Sequence, residues 1–304
     1  MKNIALIGLI MILAGLIIIR QDDLVTLFNT RVQTKNSLVK LKEKNEYYRD
    51  YNFMYVRNTE NFSPTSPQDI LNIFYTVINA GKNEFTFYCP TEYEECLNDV
   101  QKIANNQEQL SNINNYVHPY NGFAHIETKY DTLGKVTINI IHSYNKEQIT
   151  AINEQVDILY KELVKSDATL EDNIRSIHDY IINHTKYDTL RSDQNITDYQ
   201  SDIAYGPLFE GYAVCGGYTD LMELFLEKLH VKSYKISSND HIWNVIQMGG
   251  SWYHLDLTWD DPVADDGNNY LEHNFFLIDT RKLLELEKTQ HSFDQSVYLE
   301  VATN

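Results

Sequence analysis

The chain has 304 residues, and its 25 Lys and Arg against 43 Asp and Glu give a formal net charge of −18. Phosphate binding requires clustered cationic side chains, so this balance excludes nucleic acid as the main partner. Apolar residues make up 43% and aromatic residues 12%, which excludes a disordered chain and indicates a packed core. Three cysteines are too few for a disulfide scaffold. The length suggests two domains, or one domain with attachments.

Residues 4–19 form an apolar run without a single charge, ended by Arg20. Such a run has no polar face for a surface helix, and it is slightly shorter than the roughly 20 residues that span a bilayer. A cleaved secretory signal is the alternative, but its apolar region usually has about 7–15 residues before a small-residue cleavage site, and no such site appears near residue 20. We therefore expect a signal anchor over residues 1–20, with the rest of the chain outside the cytoplasm.

The next two segments differ in pattern. Residues 21–59 include a stretch without Gly or Pro over 24–50, which predicts a helical stalk. Residues 60–165 alternate short strand and helix patterns, which predicts a small α/β domain without catalytic residues. The predicted elements are helices over 67–80, 94–104 and 145–164, a strand over 84–89, and a hairpin of strands 125–130 and 135–142.

Cys89 and Cys96 lie seven residues apart in this predicted domain. In an exported protein they can close a short disulfide loop, which leaves Cys215 unpaired. Two buried, inert thiols are the alternative, and the spacing does not decide between them.

Cys215 precedes an apolar pattern at positions 218, 221, 222, 225 and 229, which is one face of a helix. The cysteine therefore lies at the start of that helix, where free N–H groups and the helix dipole favour a thiolate and lower the pKa of the thiol from its free value of about 8.5. Gly216 and Gly217 allow close backbone approach to the sulfur. The alternative is a small buried apolar residue, as most free cysteines are.

Two β-prone runs, residues 241–248 and 251–258, flank Gly249 and Gly250, which predicts a hairpin with a two-residue loop. If Met248 pairs with Ser251, His241 and Asp256 become diagonal neighbours on one face of the hairpin. A histidine base beside an orienting carboxylate, together with a cysteine at a helix start, is the arrangement that nucleophilic catalysis requires.

Three segments in this order resemble the transglutaminase-like superfamily, whose core is related to papain-like cysteine proteases. They are residues 211–219 (GYAVCGGYT), 241–246 (HIWNVI) and 252–262 (WYHLDLTWDDP). The predicted helix around residues 177–182 resembles the opening of that core, and residues 275–278 with His291 resemble its end in bacterial members. The resemblance covers residues 169–294.

The resemblance implies an α+β catalytic domain over residues 166–304, with the cysteine helix packed on an antiparallel sheet. It also implies a catalytic triad of Cys215, His241 and Asp256 that forms a thioester with a carboxamide or peptide carbonyl. The backbone N–H of Cys215 is expected to be part of an oxyanion hole. Tyr205 and Tyr212 are candidates for its second donor.

Trp243 and Trp252 either line the substrate site or form part of the core. We expect no cofactor and no metal. The acidic loop over residues 260–267 fits no EF-hand spacing and predicts a solvated turn, and the Cys and His residues lack the spacing of zinc ligands.

The leading hypothesis is a membrane-anchored, extracytoplasmic cysteine enzyme that acts on amide bonds of proteins or cell-wall peptides. Residues 168–304 contain 9 Lys and Arg against 23 Asp and Glu, which favours basic or amine-bearing substrates. A cysteine protease or amidase is the nearest alternative. An inactive binding module and a structural stalk protein are alternatives from other classes.

Overall fold

The computed structural model describes residues 39–263 and 270–302. Within these ranges, no helix is both long enough and apolar enough to cross a bilayer. The predicted signal anchor over residues 1–20 and the first part of the predicted stalk lie outside the described residues.

Helices and short antiparallel strands alternate along the first half of the chain, and a second sheet follows in the second half. The helices are α1 (Pro67–Asn79), α2 (Cys96–Asn105), α3 (Gln107–Asn114), α4 (Lys146–Leu163), α5 (Leu170–His184), α6 (Thr189–Gln194), α7 (Cys215–Lys228), α8 (Thr280–Leu286) and α9 (Leu299–Ala302). The strands are β1 (Glu84–Tyr88), β2 (Phe123–Tyr130), β3 (Lys135–His142), β4 (Lys186–Tyr187), β5 (Tyr212–Ala213), β6 (Ser233–Ser237), β7 (Ile242–Met248), β8 (Ser251–Leu255) and β9 (Phe276–Ile278).

The sheet that positions the site is the antiparallel ribbon β6-β7-β8-β9. Between β7 and β8, Met248 pairs with Ser251 and Asn244 with Leu255, which is the register predicted from the sequence. Gly249 and Gly250 both have positive φ angles, 58° and 90°, as a tight two-residue hairpin loop requires. The prediction of this hairpin is confirmed.

Both faces of this sheet are buried. On one face, Tyr234, Trp243 and Trp252 share a hydrophobic core with Phe53 and Tyr116 from the first half of the chain. The other face packs against α4, α5 and α7 in a second core. Both cores include residues from either side of position 165, where the sequence pattern places a domain boundary.

Residues 39–59 contain no helix, in contrast to the predicted stalk. Arg49 is 2% exposed, forms an ion pair with Glu223 of α7, and donates a hydrogen bond to the carbonyl oxygen of Tyr116. Phe53 and Val56 are also buried. Burial of these side chains in the tertiary structure stabilises an irregular backbone here, in preference to a solvent-exposed helix.

The predicted helices and strands between residues 67 and 164 are present, with ends that differ by one to a few residues. Helix α3 was not predicted, because its apolar residues are few and its pattern is short. Cys89 and Cys96 form a disulfide with a Cα–Cα distance of 5.7 Å, and Cys215 is free. The question that the spacing left open is thus decided in favour of the bridge.

Candidate active site

Cys215 is the first residue of α7 and is half-buried. Val214 occupies the N-cap position in an extended conformation, and no side chain of the described residues caps the helix there. A Cβ on Gly217 would lie 2.3 Å from the carbonyl oxygen of Ser201, so only glycine lets that loop contact the helix start. The start of α7 places the positive end of the helix dipole beside the sulfur, where it stabilises negative charge.

His241 immediately precedes β7, and Asp256 immediately follows β8. The hairpin brings their side chains together, with His241 Nε2 2.5 Å from Asp256 Oδ2. They are 5% and 1% exposed. Interaction with Cys215 also raises the pKa of His241, so the sulfur lies close to the imidazole ring. The three predicted residues thus lie together, with a hydrogen bond between His241 and Asp256.

The negative charge near His241 stabilises the protonated form of its ring. Burial alone would lower the pKa of His241, but the charge of Asp256, the hydrogen bond to it and the bond to Cys215 raise that pKa to about 10. Burial would likewise raise the pKa of Asp256, and the two histidines that contact it, His241 and His291, hold it well below its usual range. At neutral pH the pair is an imidazolium beside a carboxylate.

Asp256 also accepts from groups that the sequence did not predict as its partners. His291, fully buried, places Nε2 2.9 Å from Asp256 Oδ2 and Nδ1 3.0 Å from Glu287 Oε2. The backbone N–H groups of Thr258 and Trp259 donate to Asp256 Oδ1 at 3.0 and 3.3 Å. His291 entered the sequence prediction only through the family resemblance, since no spacing relates it to a residue 35 positions away.

The aromatic residues predicted near the site have different roles. Trp243 is 1% exposed and stacks on the ring of His241, with centroids 5.5 Å apart, so it supports the histidine from within the core. Trp252 packs on Tyr234 in the first hydrophobic core. The ring of Tyr205 packs on Phe209, and that of Tyr212 stacks on Tyr199.

Tyr187, which the sequence did not single out as a site residue, lies near Cys215. Strand β4 pairs Tyr187 with Ala213, two residues before the cysteine. Burial raises the pKa of the Tyr187 hydroxyl, and the charges of Cys215 and Asp256 raise it further. Its position makes it a better candidate than Tyr205 or Tyr212 for a group that contacts substrate.

Two clefts are lined by the histidine or by the residues that follow the cysteine and the histidine. The first, of about 490 Å³, is lined by Tyr187, His241, Trp259 and Asp261, among others. The second, of about 510 Å³, reaches Gly216 and Ile242, the residues that follow Cys215 and His241.

The acidic loop is less solvated than predicted. Asp260 is 0% and Asp261 6% exposed, while residues 264–269 lie outside the described part. Asp260 accepts a hydrogen bond from the backbone of Phe275, and Asp261 accepts one from the hydroxyl of Tyr218. Burial raises the pKa of Asp261 to about 6. The prediction of a solvated turn is wrong for these two residues, because their carboxylates are buried and accept hydrogen bonds from other segments of the chain.

A histidine–carboxylate group outside the triad could offer ligand atoms to a metal. Asp179 Oδ1 lies 2.8 Å from His178 Nδ1 and 2.7 Å from His273 Nε2, and His178 Nε2 lies 3.2 Å from Asp260 Oδ2. Hydrogen bonds already satisfy these atoms, and they tie α5 to the segment that leads into β9. Asp256 with His241 and His291 is a second such group, and hydrogen bonds likewise join its members.

No protein-family model matches the chain, and no curated protein does. Among solved structures, a transglutaminase (TGase) is similar over 48% of this chain, at a TM-score of 0.35 and 15% identity. A protein from Cytophaga hutchinsonii assigned as a cysteine protease is similar over 48% of this chain, at a TM-score of 0.28 and 14% identity. The chain spans 48% of the length of the first and 65% of the second.

Proposed function

We propose that the protein is a membrane-anchored, extracytoplasmic cysteine enzyme that transfers acyl groups from amide bonds of proteins or peptides, as transglutaminases do. The observation that carries the proposal is the cluster of Cys215, His241 and Asp256, in which the cysteine lies at a helix N-terminus and the histidine lines an open cleft. A nucleophile, a base and an orienting carboxylate in contact are the parts that thioester chemistry needs.

In the first step, the thiolate of Cys215 attacks the carbonyl carbon of a carboxamide, and a C–S bond forms. The developing oxyanion is stabilised by the N–H of Cys215 at the start of α7. The C–N bond then breaks as the imidazolium of His241 gives its proton to the departing amine. A thioester on Cys215 and a neutral His241 remain.

In the second step, an acceptor amine attacks the thioester carbon and gives its proton to His241. The C–S bond breaks, the thiolate of Cys215 leaves, and the ion pair is restored. Throughout, Asp256 keeps the imidazole in the orientation that points Nδ1 at the sulfur, because its carboxylate binds Nε2.

The cleft beside His241 favours a basic, amine-bearing acceptor. The exposed Asp240 and the buried Asp261 both line it. The surrounding region, residues 168–304, carries 9 Lys and Arg against 23 Asp and Glu. A negative potential of this kind concentrates basic or amine-bearing partners near the site.

Hydrolysis, by a cysteine protease or amidase, is the second candidate. The cleft that reaches Gly216 and Ile242 favours it, because this cleft gives an extended peptide a surface to occupy next to the catalytic residues. Water would then replace the amine in the second step. A third candidate is an inactive binding module, and the presence of Cys215, His241 and Asp256 in one cluster argues against it.

The Cys89–Cys96 disulfide supports a location outside the cytoplasm, since such bonds persist in oxidising compartments. The apolar run over residues 4–19 supports a membrane anchor.

The test is incubation of the full-length chain with a glutamine-containing protein and a fluorescent primary amine, beside Cys215→Ala. Covalent uptake of the amine by wild type alone would establish transfer, and new chain termini would establish proteolysis. If wild type and Cys215→Ala give the same product pattern with both readouts, the proposal is overturned.

A further inference from the structure

His291 is held between two carboxylates. Its Nε2 lies 2.9 Å from Asp256 Oδ2 and its Nδ1 lies 3.0 Å from Glu287 Oε2. Burial would raise the pKa of Glu287, but the backbone N–H of Gln290 and the ring of His291 lower it to about 2, so this carboxylate is ionised at neutral pH. Ionised carboxylates accept hydrogen bonds and donate none. A hydrogen bond to each carboxylate therefore requires a proton on each nitrogen of His291.

Water has no access to this ring, which is a cation when both of its nitrogens carry a proton. Its side chain is fully buried, and the rings of Trp243, Phe275 and Trp259 lie with centroids 5.0, 5.1 and 5.4 Å from its own. The titratable groups that face it are Asp256 and Glu287, with His241 at 5.3 Å between ring centroids and His254 farther off. A buried cation persists when it is paired and hydrogen-bonded, as this one is on both sides.

Acidic and basic side chains therefore alternate along one line of hydrogen bonds, from Glu287 through His291 and Asp256 to His241. Asp256 Oδ2 serves both histidines, at 2.5 Å to His241 and 2.9 Å to His291. The orienting carboxylate of the site is thus shared by two histidines, whereas in a simple triad it would bind one.

We propose that His291 is a positioning residue of the site, whose Glu287-bound imidazolium fixes Asp256 and draws part of its negative charge away from His241. This inference rests on the proposed function, because it concerns how His241 works as an acid. A histidine that serves an undivided buried carboxylate holds its proton tightly and gives it up slowly to a leaving amine. Because Asp256 is shared, His241 holds its proton less tightly, so its ring can both donate and accept a proton.

The opposite view, that His291 only fills space in the core, makes a different prediction for the pH dependence of Cys215. The rate of alkylation of Cys215 by iodoacetamide reports the thiolate, and its pH profile has an acid limb and an alkaline limb. Loss of a nearby cation makes the thiolate harder to form and makes the proton on His241 harder to remove. Both limbs should then move to higher pH, whereas loss of packing alone lowers the rate at every pH.

The experiment compares alkylation profiles of the full-length wild type, His291→Gln and His254→Gln. His254 is a matched control: it is also fully buried beside Trp243, but it is a neutral histidine and its substitution removes no charge. We expect both limbs of His291→Gln to move up by about one pH unit, the usual effect of a close charge. The profile of His254→Gln should keep its limbs in place. Unmoved limbs in His291→Gln, or equal shifts in both variants, would overturn the proposal.

A measurement on the wild type covers the case in which His291→Gln does not fold. With ¹⁵N-labelled histidine, nuclear magnetic resonance should show both ring nitrogens of His291 protonated at neutral pH, and only one in His254. A neutral His291 would refute the inference. The two proposals fail differently: slow labelling of wild-type Cys215, like that of a free thiol, would reject the catalytic function, whereas fast labelling with a neutral His291 would reject only the role of His291.

Discussion

The two sides of Trp243 hold buried histidines in opposite states. On one side, His241 faces Asp256, and despite burial its pKa is raised to about 10. On the other side, His254 accepts a hydrogen bond at Nδ1 from Trp243 Nε1 (2.9 Å), and its Nε2 lies 3.0 Å from the hydroxyl of Thr280. Burial, together with the charge of His291, lowers the pKa of His254 to about 3.

The comparison shows that burial by itself does not decide the charge of a histidine in this fold. Both rings are nearly inaccessible to solvent and both contact the same tryptophan. A carboxylate partner makes one a cation, and neutral partners keep the other uncharged. The charged side is where Cys215 lies, so the chemistry is confined to one end of the hairpin.

The largest expected effect comes from removing that carboxylate. Asp256→Asn should lower the rate of any Cys215-dependent acyl transfer by roughly 10³–10⁴-fold, because an amide neither stabilises the imidazolium nor fixes its tautomer. Rates of amine incorporation measure this loss, with His254→Gln as the control of equal burial. A loss under tenfold in Asp256→Asn, or an equal loss in His254→Gln, would contradict the distinction between the two sides.

The two histidines should also affect stability in opposite pH ranges. The folded pKa of His254, about 3, lies below its unfolded value of about 6.5, so its contribution is lost as pH falls from about 6.5 toward 3. The folded pKa of His241, about 10, lies above that value, so its contribution is lost as pH rises from about 6.5 toward 10.

Urea unfolding across this pH range tests the two signs. His254→Gln should reduce the acid loss by a few kcal/mol, since one pKa unit is about 1.4 kcal/mol, and should leave the alkaline loss in place. An unchanged acid slope in that variant would show that His254 is not the neutral histidine described.

The smallest effect on the site should follow removal of the disulfide. The double variant Cys89→Ser, Cys96→Ser lacks the disulfide between residues seven positions apart. Its loss should lower the free energy of unfolding by about 2–3 kcal/mol, because the unfolded chain gains entropy. Thermal unfolding measures this cost, and Cys215 should label at the wild-type rate. A changed labelling rate would mean that the first half of the chain shapes the site more directly than its contacts indicate.

The hairpin and the helix start could be predicted because their signals are local. Gly249 and Gly250 fix the loop and hence the register that aligns His241 with Asp256. The apolar pattern after Cys215 places the cysteine at a helix N-terminus. Each of these signals comes from residues that are close to one another in the sequence.

The rest depends on contacts between distant segments. His291 meets Asp256 across 35 residues, and Arg49 meets Glu223 across 174. No periodicity encodes such pairs, so the predicted stalk and the partners of Asp256 could not be corrected from the sequence. Tyr187 reaches the site only because the two-residue strand β4 pairs with Ala213, a strand too short to show alternation.

The most direct test of the central claim is the rate of alkylation of Cys215 by iodoacetamide at about pH 6 and about pH 8, where a free thiol with a pKa of about 8.5 would react far more slowly at the lower pH. If Cys215 is a thiolate paired with protonated His241, the two rates should agree within about twofold. A rate that rises roughly tenfold per pH unit, as for an ordinary thiol, would contradict the ion pair and with it the proposed chemistry.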